Sequence, residues 1–272
     1  MPKRILISLV SEYTIPNIQL IKEFEHQTDV FLFITSEKME EENENRTDWI
    51  IHSVQLAKEK TKRIVINPHN LSDIEAIFEK AAFNKEDEYH INLTCGTKLM
   101  ALVTLNFFSG FKKVHFYYVS QEVSHYQLVY PKEKRSEINF KYRITLFEYL
   151  SAYGLKIESK EYLHKPVKET KKLMQKVLFN EGNIRKLPEI RNAKSYKRSE
   201  DKKYFSGGWF EEYVFNTIKT HFELKDKEIG MGVRLQNQRT ENEYDVVFVK
   251  DNQIYVLECK AYFGYSKLKA KN

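Results

Sequence analysis

Residues 90–108 read HINLTCGTKLMALVTLNFF, and the change of pattern inside that stretch decides the fold. His90–Thr94 is a short, mostly apolar run, whereas Lys98–Phe108 carries apolar side chains at three- and four-residue steps. The first pattern suits a strand buried on both faces, and the second suits a helix packed along one side. Between them Gly96 permits a tight turn, and Thr97 can cap the helix. The same switch recurs along the first 120 residues. Strand-like runs at Arg4–Leu9, Val30–Thr35, Arg63–Asn67 and Val114–Ser120 alternate with helix-like stretches at Asn17–Glu25, Thr47–Glu59 and Leu71–Ala82. Ser72 with Glu75 three residues on reads as a capping box. Five such strands with helices between them imply βαβ units, right-handed crossovers and a parallel sheet. A hairpin-like segment, Ser124–Tyr130, would add antiparallel strands.

The chain has 272 residues, enough for two domains at ~100–200 residues each. Apolar residues make up 42% and can supply a core, while 30% charged residues keep it hydrated. Nine glycines, against about nineteen at an average usage of ~7%, exclude collagen-like and low-complexity chains. No run approaches the ~18–20 apolar residues that span a bilayer, so no membrane partner is expected. The N-terminus enters a strand-like run with no small-residue cleavage site behind it. Two cysteines, Cys95 and Cys259, cannot build a disulfide framework, which points to a reducing, cytoplasmic setting. Charge is uneven: residues 1–140 hold 17 basic and 20 acidic side chains, a net of −3. Residues 141–206 hold 17 and 8, a net of +9, and residues 207–272 are balanced. The basic stretch reads as a helical connector, either a solvated face or a surface that tracks phosphates.

From Gly207 the pattern becomes helix, strand, strand, strand: Trp209–Phe222, Gly230–Leu235, Glu243–Lys250 and Gln253–Ala261. A two-residue turn at Asp251-Asn252 would pair Lys250 with Gln253 and set Asp245 directly opposite Glu258. Lys260 would share the face of Glu258. Opposed carboxylates repel, so a divalent cation held by both is the natural compensation. Such a cation could polarise a phosphodiester and activate water, with Lys260 stabilising charge on the phosphorus oxygens. Glu211 or Glu212, at the start of the upstream helix, could add a carboxylate or could simply favour the helix dipole.

Asp245 followed by Glu258-Cys259-Lys260 resembles the D…ExK signature of the PD-(D/E)xK, or restriction-endonuclease-like, nucleases. The helix opened by Gly208-Trp209-Phe210-Glu211 resembles that family's early helix. The resemblance implies Asp245 and Glu258 as ligands of Mg²⁺ or Mn²⁺, with the Cys259 carbonyl as a third. It implies Lys260 as catalytic lysine and Glu211 as an accessory acid. Twelve residues follow Lys260 where that fold normally continues with another helix and strand, so the expectation is a shortened nuclease-like domain over 207–272.

In the N-terminal half, Thr94-Cys95-Gly96-Thr97-Lys98 joins a strand end to a helix start, where free amides can meet an anion. It lacks the GxxxxGK spacing of a Walker A loop. The polar loop Ser11–Asn17 follows the first strand, and ligands of doubly wound sheets bind beyond the carboxyl ends of the strands. With the sheet pattern, residues 1–140 look like a Rossmann-like CARF domain, the CRISPR-associated sensor. The loop is similar to that family's T-G-G-T-K loop, with Cys95 where glycine is usual. The resemblance implies a cyclic oligoadenylate, cyclic tetra-adenylate being the expected ring, bound across a homodimer. Its implied contacts are Ser11, Thr94, Gly96, Thr97 and Lys98. Sensor and nuclease together are similar to the cyclic-oligoadenylate-activated CARF nucleases of type III CRISPR antiviral defence. The expectation is therefore an α/β protein that cleaves DNA or RNA when its messenger binds. The alternative is a non-enzymatic, messenger-responsive nucleic-acid-binding protein. Hydrolysis of the messenger in the N-terminal site is a weaker third reading, because neither loop offers a His/Asp base.

Overall fold

A computed structural model describes residues 2–120, 124–237 and 240–261. The chain divides into two compact units, one running to Lys156 and the other from Ile157.

The first unit is built on a seven-stranded sheet. In chain order its elements are β1 (Arg4–Leu9), α1 (Ile15–Phe24), β2 (Val30–Thr35), α2 (Arg46–Ser53), β3 (Thr61–Val65), α3 (Leu71–Lys80), β4 (Glu88–Asn92), α4 (Lys98–Phe108), β5 (Val114–Val119), β6 (His125–Tyr130), β7 (Ser136–Asn139) and α5 (Leu146–Ser151). The strand order is β3-β2-β1-β4-β5-β6-β7. The first five strands are parallel, and β6 and β7 run antiparallel. Alternation along β1 sends successive side chains to opposite faces. Leu6 packs with Ile18 and Ile21 of α1 and Ile50 of α2. Ile7 and Leu9 pack with Ile74 and Phe78 of α3 and Met100 and Val103 of α4. Both faces are thus covered, which is why the strands read as nearly continuous apolar runs. The chain reverses its winding between β1 and β4, the place where doubly wound sheets open a crevice.

Several boundaries move for identifiable reasons. β3 and β4 each begin two residues before the expected strands, because pairing rather than hydrophobicity sets their starts. Thr61 is the partner of Phe31, and Glu88 is the partner of Arg4. Helix α2 stops at Ser53, and Gln55 turns to a positive φ of 56°. The cap of α3 is Asn70, whose side chain accepts from the Asp73 amide at 3.2 Å, so the Ser72–Glu75 capping box falls two residues too late.

The second unit holds a four-stranded sheet in the order β11-β10-β9-β8. Its elements are β8 (Lys156–Glu161), α6 (Val167–Phe179), the short α7 (Pro188–Arg191) and α8 (Ser199–Lys203), α9 (Trp209–His221), β9 (Ile229–Gln236), β10 (Glu241–Lys250) and β11 (Gln253–Leu257). One cluster joins Leu173 and Val177 of α6 to Tyr204 and Trp209, and a second joins Ile229, Val246 and Phe248. The stretch 141–206 therefore does not stand apart as a connector. Its start, with α5, belongs to the first unit, and the remainder supplies a strand and a packed helix to the second. KIESKE shows no apolar alternation because it is an edge strand with charge on both faces, a pattern that blunts sheet edges. The expected early end of the nuclease half concerns residues 262–272, which lie outside the described residues. No helix among the described residues is long and apolar enough to cross a membrane.

Candidate functional site

The first unit opens a cleft of about 910 Å³ beyond the carboxyl ends of its strands. Ser11, Glu12, Tyr13, Asn67, Gly96 and Thr97 are among its lining residues. Two buried asparagines hold the flanking loops in place. Asn17 donates to the Leu9 carbonyl at 2.8 Å, and Asn92 donates to the Asn17 side-chain oxygen at 2.8 Å. The Asn92 oxygen then accepts from the Thr94 amide at 3.0 Å. This chain ties the end of β1, the start of α1 and the loop after β4 into one frame. Cys95 adds a direct link between the loops, its thiol donating to the Tyr13 carbonyl at 3.2 Å.

Gly96 sits at φ +79°, where an L side chain is strained. A Cβ there would also lie 3.1 Å from the Leu9 Cβ. Thr97 caps α4 by accepting from the Met100 amide at 3.1 Å, and its hydroxyl donates to the Pro68 carbonyl at 3.0 Å. The Ser11 hydroxyl donates to the Tyr13 carbonyl at 3.2 Å. Of the five expected contacts, Ser11, Gly96 and Thr97 line the cleft. Thr94 and Lys98 are not among its lining residues. The Thr94 hydroxyl accepts from the Val119 amide at 2.7 Å and secures β5, and Lys98 is exposed. The sequence reading did not single out Glu12 and Lys38, which form a 2.6 Å ion pair at the cleft. Glu37 and Asp73 also border the cleft, so an anion there would be held by directed donors rather than by surplus positive charge.

In the second unit the carboxylates gather around β8, β9, β10 and α9. Asp245 falls between the Tyr244–Val233 and Val246–Met231 pairs, level with Gly232 on β9. Gly232 has φ +52°, and a Cβ on it would sit 2.3 Å from the Glu161 Cγ. The missing side chain lets Glu161 lie across β9 from β8. Glu211 on α9 is half-buried, and its pKa is pushed up to about 7 by burial first, then by Asp245 and Glu161. Lys203, ion-paired with Glu161, partly offsets this. A half-buried glutamate whose pKa is raised by two neighbouring carboxylates lies where a hard divalent cation would relieve the repulsion.

The two glutamates at the start of α9 have separate roles. Glu212 is fully buried, accepts from the His164 amide at 2.6 Å and lies 3.3 Å from the Thr170 hydroxyl. It anchors the segment between β8 and α6, leaving Glu211 as the acid facing Asp245. Asp251 and Asn252 both take positive φ, 48° and 62°, as a type I′ hairpin turn requires. Strand β11 ends at Leu257, before the Glu258-Cys259-Lys260 signature. The Cys259 amide donates to the Asp245 carboxylate at 2.5 Å, which brings that segment beside Asp245. The Glu258 side chain turns away, pairing with Lys260 at 2.7 Å with both groups more than 60% exposed. The structure thus joins Asp245 to Glu211 and adds Glu161 and Lys203, which the sequence reading did not single out. A charged residue in an edge strand gives no signal of that role by itself.

The chain matches the model of the Card1 CARF domain over residues 5–149. It belongs to the Card1 CARF family. A second model, the Card1-like endonuclease domain, matches residues 198–267. This Card1-family chain therefore combines a Rossmann-like CARF domain with a C-terminal endonuclease domain. Among solved structures it is similar to Can2 from Sulfobacillus thermosulfidooxidans, solved in complex with cyclic tetra-adenylate. That match has a TM-score of 0.74 at 17% identity, covering 96% of this chain and 81% of that one. It is similar to VC1899 from Vibrio cholerae, with a TM-score of 0.77 at 16% identity, covering 94% and 80%. A type III CRISPR defence DNA nuclease activated by cyclic oligoadenylate matches with a TM-score of 0.64 at 19% identity, covering 94% of this chain and 40% of that one. At these identities the likeness is one of fold. No curated protein matches the chain.

Proposed function

We propose that this chain is a metal-dependent nuclease of type III CRISPR defence, switched on by a cyclic oligoadenylate bound across a homodimer. The observation that carries the reading is the pairing of two built features. One is a cleft framed by the buried Asn17–Asn92 link; the other is an acid group, Glu211, Asp245 and Glu161, in the endonuclease domain. The family supplies the activity class, and the cyclic tetra-adenylate in Can2 supports the messenger. A ring of repeating symmetry is matched by two copies of one cleft related by a two-fold axis. Ser11, Gly96 and Thr97 would contact it from each copy, with Thr94 holding the loop and Lys98 adding charge at its edge.

Asp245 and Glu211 would hold Mg²⁺ or Mn²⁺, with Glu258 completing the shell once it leaves Lys260. The ion, when bound, would polarise the phosphodiester and lower the pKa of water. Lys203 and Lys260 supply the positive charge for the phosphorus oxygens. Glu211, its pKa pushed up to about 7 by burial and its acidic neighbours, would give up its proton as the ion binds. DNA or RNA is the substrate, drawn by the basic side chains of residues 157–206 within the second unit. Calorimetry with cyclic tetra-adenylate tests the sensor half. One ring per two chains is expected, with at least tenfold weaker binding by Gly96→Ala. Absence of binding by any ring size would refute it.

The outward Glu258–Lys260 pair favours a second reading, a messenger-responsive nucleic-acid-binding protein that does not cut. Tight DNA or RNA binding with no cleavage in Mg²⁺ or Mn²⁺ would select it.

A further inference from the structure

At the amino ends of β4 and β5, opposite the end of the sheet that carries the cleft, three side chains converge. Glu88 and His90 share a face of β4, and His115 is the partner of His90 on β5. One ligand atom from each of the three lies within 4.8 Å of the other two. No other such trio of His, Cys, Asp and Glu occurs among the described residues. His90 Nε2 is 3.0 Å from a Glu88 carboxylate oxygen, and the His90 and His115 rings stack at 5.1 Å.

The surroundings resemble a metal's outer shell. His90 Nδ1 lies 2.9 Å from the Tyr117 hydroxyl. A cation held by Nε2 and the Glu88 oxygen, 3.0 Å apart, would take the place of the proton between them and leave Nδ1 to donate to the Tyr117 hydroxyl. The other Glu88 oxygen is held by Arg4 Nε at 3.3 Å, which orients the carboxylate. Phe24 packs against the His90 ring with centroids 5.2 Å apart and walls one side. His115 Nδ1 is buried with no hydrogen-bond partner, an uncompensated polar atom that a ligand would satisfy.

We propose that Glu88, His90 and His115 form a site for one zinc-class transition-metal ion, with water in the fourth position. Two imidazoles and one carboxylate are a zinc donor set, and three protein ligands leave a place for solvent. A tetrahedral shell needs ligand atoms about 3.3 Å apart, so a turn of the His115 ring would close the site. The ion would clamp β4 to β5 at the sheet's amino edge and displace the proton shared by His90 and Glu88. None of this depends on the nuclease reading.

The test uses the untagged, metal-free full chain carrying Asp245→Ala, which weakens cation binding in the acid cluster. Zn²⁺ is titrated against a chromophoric chelator, and Co²⁺ is followed by its visible absorption. One zinc per chain, a tetrahedral cobalt spectrum and a zinc-dependent rise in Tm are expected. His115→Gln and Glu88→Gln should each weaken zinc on the order of tenfold or more and abolish the cobalt band. Their melting temperatures without metal serve as the check on folding. Failure to bind zinc, or zinc and cobalt binding that both variants leave unchanged, would overturn the proposal.

Discussion

Cys95 shows how a side chain can serve a loop that in similar domains closes on glycine. Its thiol bridges to the Tyr13 carbonyl, and burial pushes its pKa to about 12, so it acts as a structural hydrogen-bond donor and not as a nucleophile. Two neighbours carry more of the geometry. Gly96→Ala would impose a left-handed φ on an L residue and press on Leu9, costing about 1–2 kcal/mol in unfolding experiments. Asn92→Ala would strip partners from both the Asn17 amide system and the Thr94 N–H. A loss of roughly 1–3 kcal/mol is expected, read as a lower midpoint in urea at unchanged m-value. The Gly96 and Thr97 roles were legible in sequence because glycine and a capping threonine leave positional signatures. The asparagine link was not, since Asn17 and Asn92 lie far apart in the chain and only the β1–β4 pairing brings them together.

At the scale of elements, β8, β9 and α9 determine where the acids meet. Gly232→Ala would press on Glu161 and force it off β9. Cleavage should fall by an order of magnitude or more while messenger affinity, measured by calorimetry, stays unchanged. The acid group also sets a pH dependence. The folded-state pKa of Glu211, about 7, lies above its ordinary value of 4.5. Its stabilising contribution is thus fully present below pH 4.5 and is lost as pH rises through 7. A bound divalent cation relieves the repulsion that appears then, so Mn²⁺ should raise Tm more at pH 8 than at pH 5.5. Equal shifts at both pH values, in the wild type and in Glu211→Gln, would count against an ion beside Glu211. The strong apolar strands and amphipathic helices of the first unit were readable because both faces of their sheet are covered. Strand β8 was hidden because its charged edge carries no alternating apolar signal, and its role depends on a glycine some seventy residues later.

At the scale of the whole molecule, one chain carries a CARF fold and an endonuclease fold. A messenger can drive cleavage only through its greater affinity for the cutting-competent arrangement, and about 1.4 kcal/mol of difference gives each tenfold of activation. Net charge was a partial guide at this scale. The basic surplus of residues 141–206 is real, but it is spread over parts of both units instead of marking a separate connector. The measurement that bears most directly on the account is cleavage of plasmid, single-stranded DNA and RNA in Mn²⁺, with and without cyclic tetra-adenylate. Cutting that requires both ion and messenger, and that disappears in Asp245→Ala, is the predicted result. Cutting that ignores the messenger, or that survives Asp245→Ala combined with Glu211→Ala, would contradict it.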